Sequence, residues 1–288
     1  MLAQLPPPCF MRAMSQRPKL EDLIQLALGA GREIMAVRAA GFEAMKKGDG
    51  SPVTLADQRA EALIEAGLAQ LAPGVPMIGE ESDAEGRSTA TGARFFCVDP
   101  LDGTRDFVAG KDEFTVNIAL IEDGAPLMGV VLSPASGELF AGEPGRALKG
   151  AFYADGAPRA ALTQIQVAQT KPTDGWRVVA SRHSGKNSAT AGFLNALGAH
   201  VLKSASSSIK LCRLAEGAAD LYPRFGEVNE WDIGAGHAIL RAAGGDLMRL
   251  DGAPHRYGGS EGSFLVRGFI AFANAAAASA ARDAMGRV

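Results

Sequence analysis

Phe95-Phe96-Cys97-Val98-Asp99-Pro100-Leu101-Asp102-Gly103-Thr104 is the stretch on which the reading of this chain turns. An apolar, strand-like run ends in two carboxylates three residues apart, followed by a glycine. A strand that breaks into a turn this way can aim both carboxylates, and the backbone carbonyl between them, at one point. Hard cations such as Mg2+ take oxygen ligands of this kind. The same residues also suit an ordinary turn, because Asp-Gly is a common turn dipeptide. The rest of the chain has to decide between the two.

The bulk properties narrow the choice. The 288 residues are 47% hydrophobic and 21% charged, enough for a large buried core in one big α/β domain or two packed lobes. A net charge of −3 gives no global field to attract nucleic acid or anionic membrane. An anionic substrate must therefore be held by local positive charge, and no basic stripe or aromatic platform points to a nucleic-acid polymer. Cys9, Cys97 and Cys212 are odd in number and lack metal-type spacing, which argues against a disulfide framework and for a reducing cytoplasm. No run of 18 apolar residues predicts a transmembrane segment. Residues 1–19 carry Pro6-Pro7-Pro8 and no continuous apolar stretch, so they read as a flexible tail, or as an over-long start before Met11 or Met14, rather than a signal peptide.

Periodicity divides the remainder. Helical spacing runs from Leu20 through Met35 and again from Ala56 to Leu71. Strands are expected at Met77-Ile78, Phe95–Val98, Phe114–Ile121, Leu127–Leu132 and Leu139–Ala141, giving an antiparallel-rich α+β lobe over residues 20–160. Residues 161–288 change rhythm. Strands at Val178–Ala180, Val201-Leu202, Ala219–Tyr222, Leu247–Leu250 and Phe269–Phe272 alternate with helices at Asn187–Leu197, Ser208–Glu216, Ile233–Ala243 and Ala275–Met285, the pattern of an α/β lobe.

Four further pieces bear on the Asp99/Asp102 turn. Gly79-Glu80-Glu81 follows a short strand. Trp231-Asp232 precedes a helix containing Gly234 and Gly236. Ser51 to Asp57 opens the second helix, and Ser206-Ser207-Ser208-Ile209-Lys210 opens another. Each has an ordinary explanation: Glu80 and Glu81 as a solvated loop, Asp232 and the serines as helix caps, Asp57 as a first-turn acid. Their joint occurrence in this order is what singles them out.

The ordered set resembles the Mg2+-dependent, lithium-sensitive inositol monophosphatase superfamily, whose signatures look like residues 99–104, 79–81 and 231–236 over roughly residues 20–275. Within it the chain is most similar to the 3'(2'),5'-bisphosphate nucleotidases of the bacterial CysQ type, through Ser181-Arg182-His183, Ser206 to Cys212, Leu221 to Gly226 and Gly234 to Ala238. The resemblance implies the layered αβαβα fold of these phosphatases and two or three Mg2+ ions per active site. Glu80, Asp99, the Leu101 carbonyl, Asp102 and Asp232 would hold them, with Glu81 beside a weaker ion. It implies Thr104 and Asp57 as the pair that activates water. Gly103, Thr104, Ser181, His183, Ser207, Ser208, Lys210, Arg224 and Asp232 would bind substrate. An arginine at 224, where inositol monophosphatases carry a glutamate, suits a second phosphate through a bidentate fork. Arg105-Asp106 stands where the nucleotidases have Lys-Glu and keeps the charges.

The expected function is hydrolysis of the 3'-phosphate of 3'-phosphoadenosine 5'-phosphate to AMP and phosphate, in sulfur assimilation. The small phosphorylated nucleotide is the expected partner, the protein being a monomer or homodimer in the cytoplasm, free or peripheral to the inner membrane. Alternatives are a polyol- or sugar-phosphate phosphatase on the same scaffold and a non-catalytic metal-binding regulator.

Overall fold

The computed structural model describes residues 17–42, 45–46, 52–86, 91–170, 172–181, 188–205, 207–259 and 263–287. The expected tail therefore lies outside the described residues up to position 16. Arg17, which is described, already pairs with Glu122.

Helix α1 (Leu20–Ala40) buries Leu20, Leu23, Ile24, Ala27, Leu28, Ile34 and Val37 along one stripe, with Glu21 and Asp22 in its first turn and Arg38 in its last, as the helix dipole favours. A two-residue ladder, β1 (Met45–Lys46) with β2 (Pro52–Val53), leads to α2 (Leu55–Leu71). Thr54 caps α2, its hydroxyl accepting the Ala56 N–H at 3.1 Å. A seven-stranded sheet follows in chain order: β3 (Met77–Gly79), β4 (Arg94–Asp102), β5 (Thr115–Glu122), β6 (Ala125–Leu132), β7 (Glu138–Glu143), β8 (Arg146–Phe152) and β9 (Pro158–Gln164). Only the β3–β4 pair is parallel. Short helices α3 (Glu80–Ala84) and α4 (Thr104–Val108) leave the ends of β3 and β4.

The second half supplies β10 (Trp176–Ala180), α5 (Ser188–Leu197), β11 (His200–Ser204), α6 (Ile209–Ala215), β12 (Leu221–Arg224), β13 (Val228–Asn229), α7 (Glu230–Ala242), β14 (Asp246–Arg249), β15 (Leu265–Val266), β16 (Phe269–Phe272) and α8 (Ala275–Met285). Five of these strands form a sheet of order β11-β10-β12-β16-β14, with β10, β11 and β12 parallel and β16 antiparallel to both its neighbours.

Three apolar cores stack these elements into five layers. Helices α1 and α2 cover one face of the large sheet through Leu23, Ile64, Val98 and Val130. Helices α6 and α7 fill the space between the two sheets, with Leu211, Ile239, Phe95 and Phe269 at that core. Helices α5 and α8 close the outer face of the small sheet through Phe193, Ile270 and Ala281. The fold is thus the α/β sandwich that the sequence led us to expect.

Two features fix α7 against the large sheet. A Cβ on Gly129 would stand 2.3 Å from the Ala235 carbonyl oxygen, so the helix backbone lies directly on β6 where only glycine leaves room. Alongside, Arg213 of α6 bonds Glu138 of β7 at 2.7 Å, and Lys149 of β8 bonds Glu216 at 2.5 Å. This half-buried network joins the middle helical layer to the sheet.

Strands β8 and β9 were not foreseen from periodicity. β9 is exposed along almost its whole length, so it carries no alternating apolar signature. The strand expected at Ala219–Tyr222 lies at Leu221–Arg224, which moves Arg224 onto the strand end. Cys97 and Cys212 are free and buried, whereas Cys9 is outside the described residues. Among the described residues no helix is long and apolar enough to cross a membrane.

Candidate active site

The two carboxylates of the Asp-Pro-Leu-Asp stretch are three positions apart, and in a regular strand such residues face opposite sides of the sheet. Here they do not. Asp99 pairs with Asn117 and Asp102 with Thr115, so three steps on β4 oppose two on β5. The extra residue is a bulge, and it returns Asp102 to the face of Asp99. Pro100 supplies a cause: it has no N–H for the ladder, and inside a sheet proline is confined to edges and bulges. Asp99 Oδ1 accepts the Leu101 N–H at 3.0 Å, fixing the carboxylate in the turn.

Gly103 ends the strand at φ 103°, and a Cβ there would meet the Glu113 carbonyl at 2.8 Å. Thr104 then opens α4. Its hydroxyl is 3.0 Å from Asp57 Oδ1 and 3.1 Å from the Leu101 carbonyl oxygen. The other oxygen of Asp57 accepts both the Thr54 N–H (2.7 Å) and the Thr54 hydroxyl (2.6 Å). One carboxylate thus completes the capping box of α2 and reaches Thr104.

Asp102 is gripped from the second half of the chain. Its Oδ2 accepts the Ser208 N–H at 2.8 Å and lies 3.2 Å from the Ser208 hydroxyl. That hydroxyl is also 2.5 Å from the Asp232 carbonyl oxygen and receives an N–H from Asn117 at 2.8 Å. Asp232 sits in the first turn of α7, where its Oδ2 accepts the Asn229 N–H at 2.8 Å. Glu80 begins α3, and the N–H groups of Glu81 and Ser82 behind it are held by Glu61 of α2 at 3.0 and 2.8 Å.

Glu80, Asp99, Asp102, Gly103, Thr104, Ser181, Ser207, Ser208, Lys210, Arg224 and Asp232 all line one cleft of about 790 Å³. Arg105, Asp106 and Lys111 stand at it too, with Lys111 bonded to Asp106 at 2.6 Å. Glu81 is buried and not among the lining residues. Ser207 holds a left-handed φ of 50°, its hydroxyl near the Asp102 and Glu113 carbonyls. The expected substrate residue His183, with Arg182 and Ser206, lies outside the described residues.

The electrostatics are those of crowded acids. Burial, then Glu80, Asp102 and Asp232, push the Asp99 carboxyl well above the usual carboxylate range. Asp102 is raised by burial and held back by Lys210 and Ser208. Burial and Asp102 lift Asp232 to about 7. Burial also raises Asp57, against its bonds to Thr54 and Thr104. The Lys210 ammonium, bonded to the Ser207 carbonyl at 2.7 Å and lying over the Tyr222 ring, is lowered by burial to about 8. Arg224 spends two N–H groups on the Gly226 and Glu227 carbonyls.

Glu80, Asp99, Asp102 and Asp232, crowded enough that Glu80 and Asp102 raise both Asp99 and Asp232, offer hard oxygens only and make a donor set suited to divalent cations of the Mg2+ type. Among the described residues, no three His, Cys, Asp or Glu side chains already enclose one coordination point. The wall is acidic and oxygen-lined; a cation would have to draw it together.

Two residues at this site escaped the sequence reading. Asn117 is fully buried beside Asp99 and Ser208, and its sign was a lone amide inside the apolar strand Thr115–Glu122. Glu61 is 3% exposed on the apolar stripe of α2, one turn after Asp57, where a carboxylate should not sit without a partner.

A model of the inositol monophosphatase family matches residues 16–285. The 3'(2'),5'-bisphosphate nucleotidase CysQ of Escherichia coli K12 is 40% identical over 252 residues, covering 87% of this chain and 98% of that protein. A histidinol-phosphatase of Mycobacterium tuberculosis is 34% identical over 222 residues, covering 74% and 80%. Among solved structures, CysQ from Bacteroides thetaiotaomicron superposes with a TM-score of 0.71 at 33% identity, over 88% of this chain and 96% of that one.

Proposed function

Because the chain belongs to the inositol monophosphatase family, we propose that it is a 3'(2'),5'-bisphosphate nucleotidase that hydrolyses 3'-phosphoadenosine 5'-phosphate to AMP and phosphate. The observation that carries the choice of substrate is the pairing of an acidic wall with Lys210 and Arg224 in one cleft. A substrate with one reacting phosphate and one spectator phosphate matches both. The 40% identity to the E. coli nucleotidase supports the same reading.

In this reading Glu80, Asp99, the Leu101 carbonyl, Asp102 and Asp232 hold two or three Mg2+ ions, with Glu81 behind them. Ions held there would supply the positive charge that reverses the sign of the wall, steadies the attacking and leaving oxygens and makes a water more acidic. The first half of the chain then contributes most of these ligands and the second half the substrate-selecting residues.

The chain's own groups set up the attack. A threonine hydroxyl has one proton and two acceptor positions. With the Thr104 proton directed to Asp57 Oδ1, its lone pairs are left to accept a hydrogen bond from the nucleophilic water, and as the water attacks, its proton passes to Thr104 while the Thr104 proton passes to Asp57. Thr54 occupies the other Asp57 oxygen, so the carboxylate cannot turn away. Water oxygen bonds to phosphorus as the ester P–O bond breaks in line, and the departing 3'-oxygen takes a proton from solvent to become the hydroxyl of AMP. The backbone at Gly103 and Thr104 cradles the phosphate. Lys210, Arg224, Ser181, His183 and Ser207 bind the rest of the substrate, and Ser208 orients Asp102. A cytoplasmic monomer or homodimer completes the proposal.

The test is phosphate release from 3'-phosphoadenosine 5'-phosphate, inositol 1-phosphate and fructose 1,6-bisphosphate, side by side, with Mg2+ or with chelator. Preference for the nucleotide that depends on Mg2+ supports the reading. Preference for a polyol or sugar phosphate refutes the substrate, and release unaffected by chelator refutes the metal roles.

A further inference from the structure

Helix α2 carries two buried carboxylates on one face. Asp57 is 1% exposed and Glu61 3%; four residues apart, they stand one above the other, about 6 Å along the helix axis. Asp57 serves the turn at the end of β4, through Thr104. Glu61 serves the turn at the end of β3. Its Oε2 accepts the Glu81 N–H at 3.0 Å and its Oε1 the Ser82 N–H at 2.8 Å. The chemistry described above gives Glu61 no part.

A buried carboxylate is costly unless its lost hydration is replaced, so its partners show where it acts. Here they are the two peptide groups that open α3. The Ser82 hydroxyl already accepts the Gly79 N–H at 3.1 Å, so Glu61 takes the donors that this local cap leaves over. Gly79 makes room for it. The backbone there is ordinary extended chain at φ −139°, which any residue adopts, yet a Cβ would stand 2.9 Å from Glu61 Oε2. Glycine at 79 therefore answers to the approach of Glu61, not to the shape of the turn.

Between the Gly79 peptide and the two held N–H groups sits Glu80. Gly79 pairs with Val98 across the parallel strands β3 and β4, so Glu80 and Asp99 leave neighbouring positions side by side. The ladder fixes the chain as far as Gly79, and Glu61 fixes it directly after Glu80, whose side chain lines the cleft.

We infer that Glu61 is a positioning residue of the active site. It holds Glu80 in the acidic wall beside Asp99 and, through the turn of α2 that it shares with Asp57, keeps that wall in register with the Thr104 hydroxyl. Glu61 touches neither substrate nor cation and acts through Glu80. The inference rests on the metal-dependent reading of the cleft and adds what sets the geometry of its ligand wall.

The experiment measures Mn2+ binding to the full chain by electron paramagnetic resonance, with the melting temperature in chelator and kcat at saturating Mg2+ recorded alongside. Glu61→Gln keeps the size of the side chain, but its amide has one oxygen for two N–H groups and sets its NH2 against the other, donor to donor. The Mn2+ dissociation constant should rise about tenfold, as expected when a group that orients a metal ligand is lost. The loss should be far smaller in kcat at saturating Mg2+, because Asp57 and Thr104 keep their bond. Gly79→Ala leaves Glu61 in the chain and drives its carboxylate off the N–H groups, so Mn2+ binding should weaken in the same direction. Ile64→Val thins the core on the same helix, and should lower the melting temperature while leaving Mn2+ affinity within about twofold of wild type. Unchanged Mn2+ affinity in both Glu61→Gln and Gly79→Ala overturns the inference. So does an equal loss in Ile64→Val, which would trace the effect to stability alone. A wild-type chain that binds no Mn2+ overturns the metal reading, and the inference with it.

Discussion

Asp232→Asn should make the metal-free protein more stable while weakening its response to Mg2+. Burial and the neighbouring Asp102 raise the Asp232 pKa from 3.8 to about 7 in the fold. A group raised in this way favours folding fully below its unfolded pKa. That contribution is lost as pH rises through the folded value, so at pH 8 the ionised carboxylate works against the native state. At about 1.4 kcal/mol per pH unit the cost is about 4 kcal/mol as an upper bound. Part of the side chain opens to the cleft, and solvent screening reduces this to about 2 kcal/mol. Asparagine removes the charge yet still accepts the Asn229 N–H through its amide oxygen, so the cap of α7 survives.

The assay is thermal melting in chelator at pH 8 and pH 5, then with Mg2+. At pH 8 the variant should melt about 4 °C above wild type, taking about 2 °C per kcal/mol for a chain of this size. At pH 5, where wild-type Asp232 is largely protonated, the gap should shrink. Mg2+ should raise the melting temperature of wild type more than that of the variant. A variant that melts below wild type at pH 8 in chelator, or a gap independent of pH, refutes the electrostatic account.

Three other perturbations test separate parts of the structure. Arg224→Glu should lower kcat/KM for 3'-phosphoadenosine 5'-phosphate at least about tenfold more than for inositol 1-phosphate, and equal losses would remove Arg224 as the selector. Asn117→Leu, close in volume, leaves the Ser208 hydroxyl without its donor; Mn2+ affinity measured by electron paramagnetic resonance should weaken about tenfold, and unchanged affinity would limit Asn117 to packing. Gly129→Ala should cost about 2–3 kcal/mol in urea unfolding, because a methyl group would press on the Ala235 carbonyl, and a neutral result would show that α7 can retreat from β6.

The parts of this molecule that were legible in sequence share a physical basis. Helices α1 and α2 declared themselves through a buried stripe at helical spacing, and the acids at positions 80, 102 and 232 stood at element ends, where side chains are free to converge, with Asp99 the last paired residue of its strand before the bulge. What stayed hidden depends on partners distant in the chain. β9 buries too little to carry a pattern, and Asn117 acquires meaning only when Ser208, 91 positions later, arrives beside it.

The Asp-Pro-Leu-Asp stretch lies between these cases and shows how a local sequence can encode a site. Two aspartates three apart on an interior strand should point to opposite faces, which would spoil a shared ligand site. The intervening proline cannot join the ladder, so the strand must take up one extra residue there. The register confirms the consequence, three steps on β4 against two on β5. Proline is thus the residue that places both acids on one face. Gly103 then lets the chain turn at once into α4, bringing Thr104 to within 3.0 Å of Asp57. The acidic wall and the Thr104–Asp57 contact follow from one bulge and one left-handed glycine.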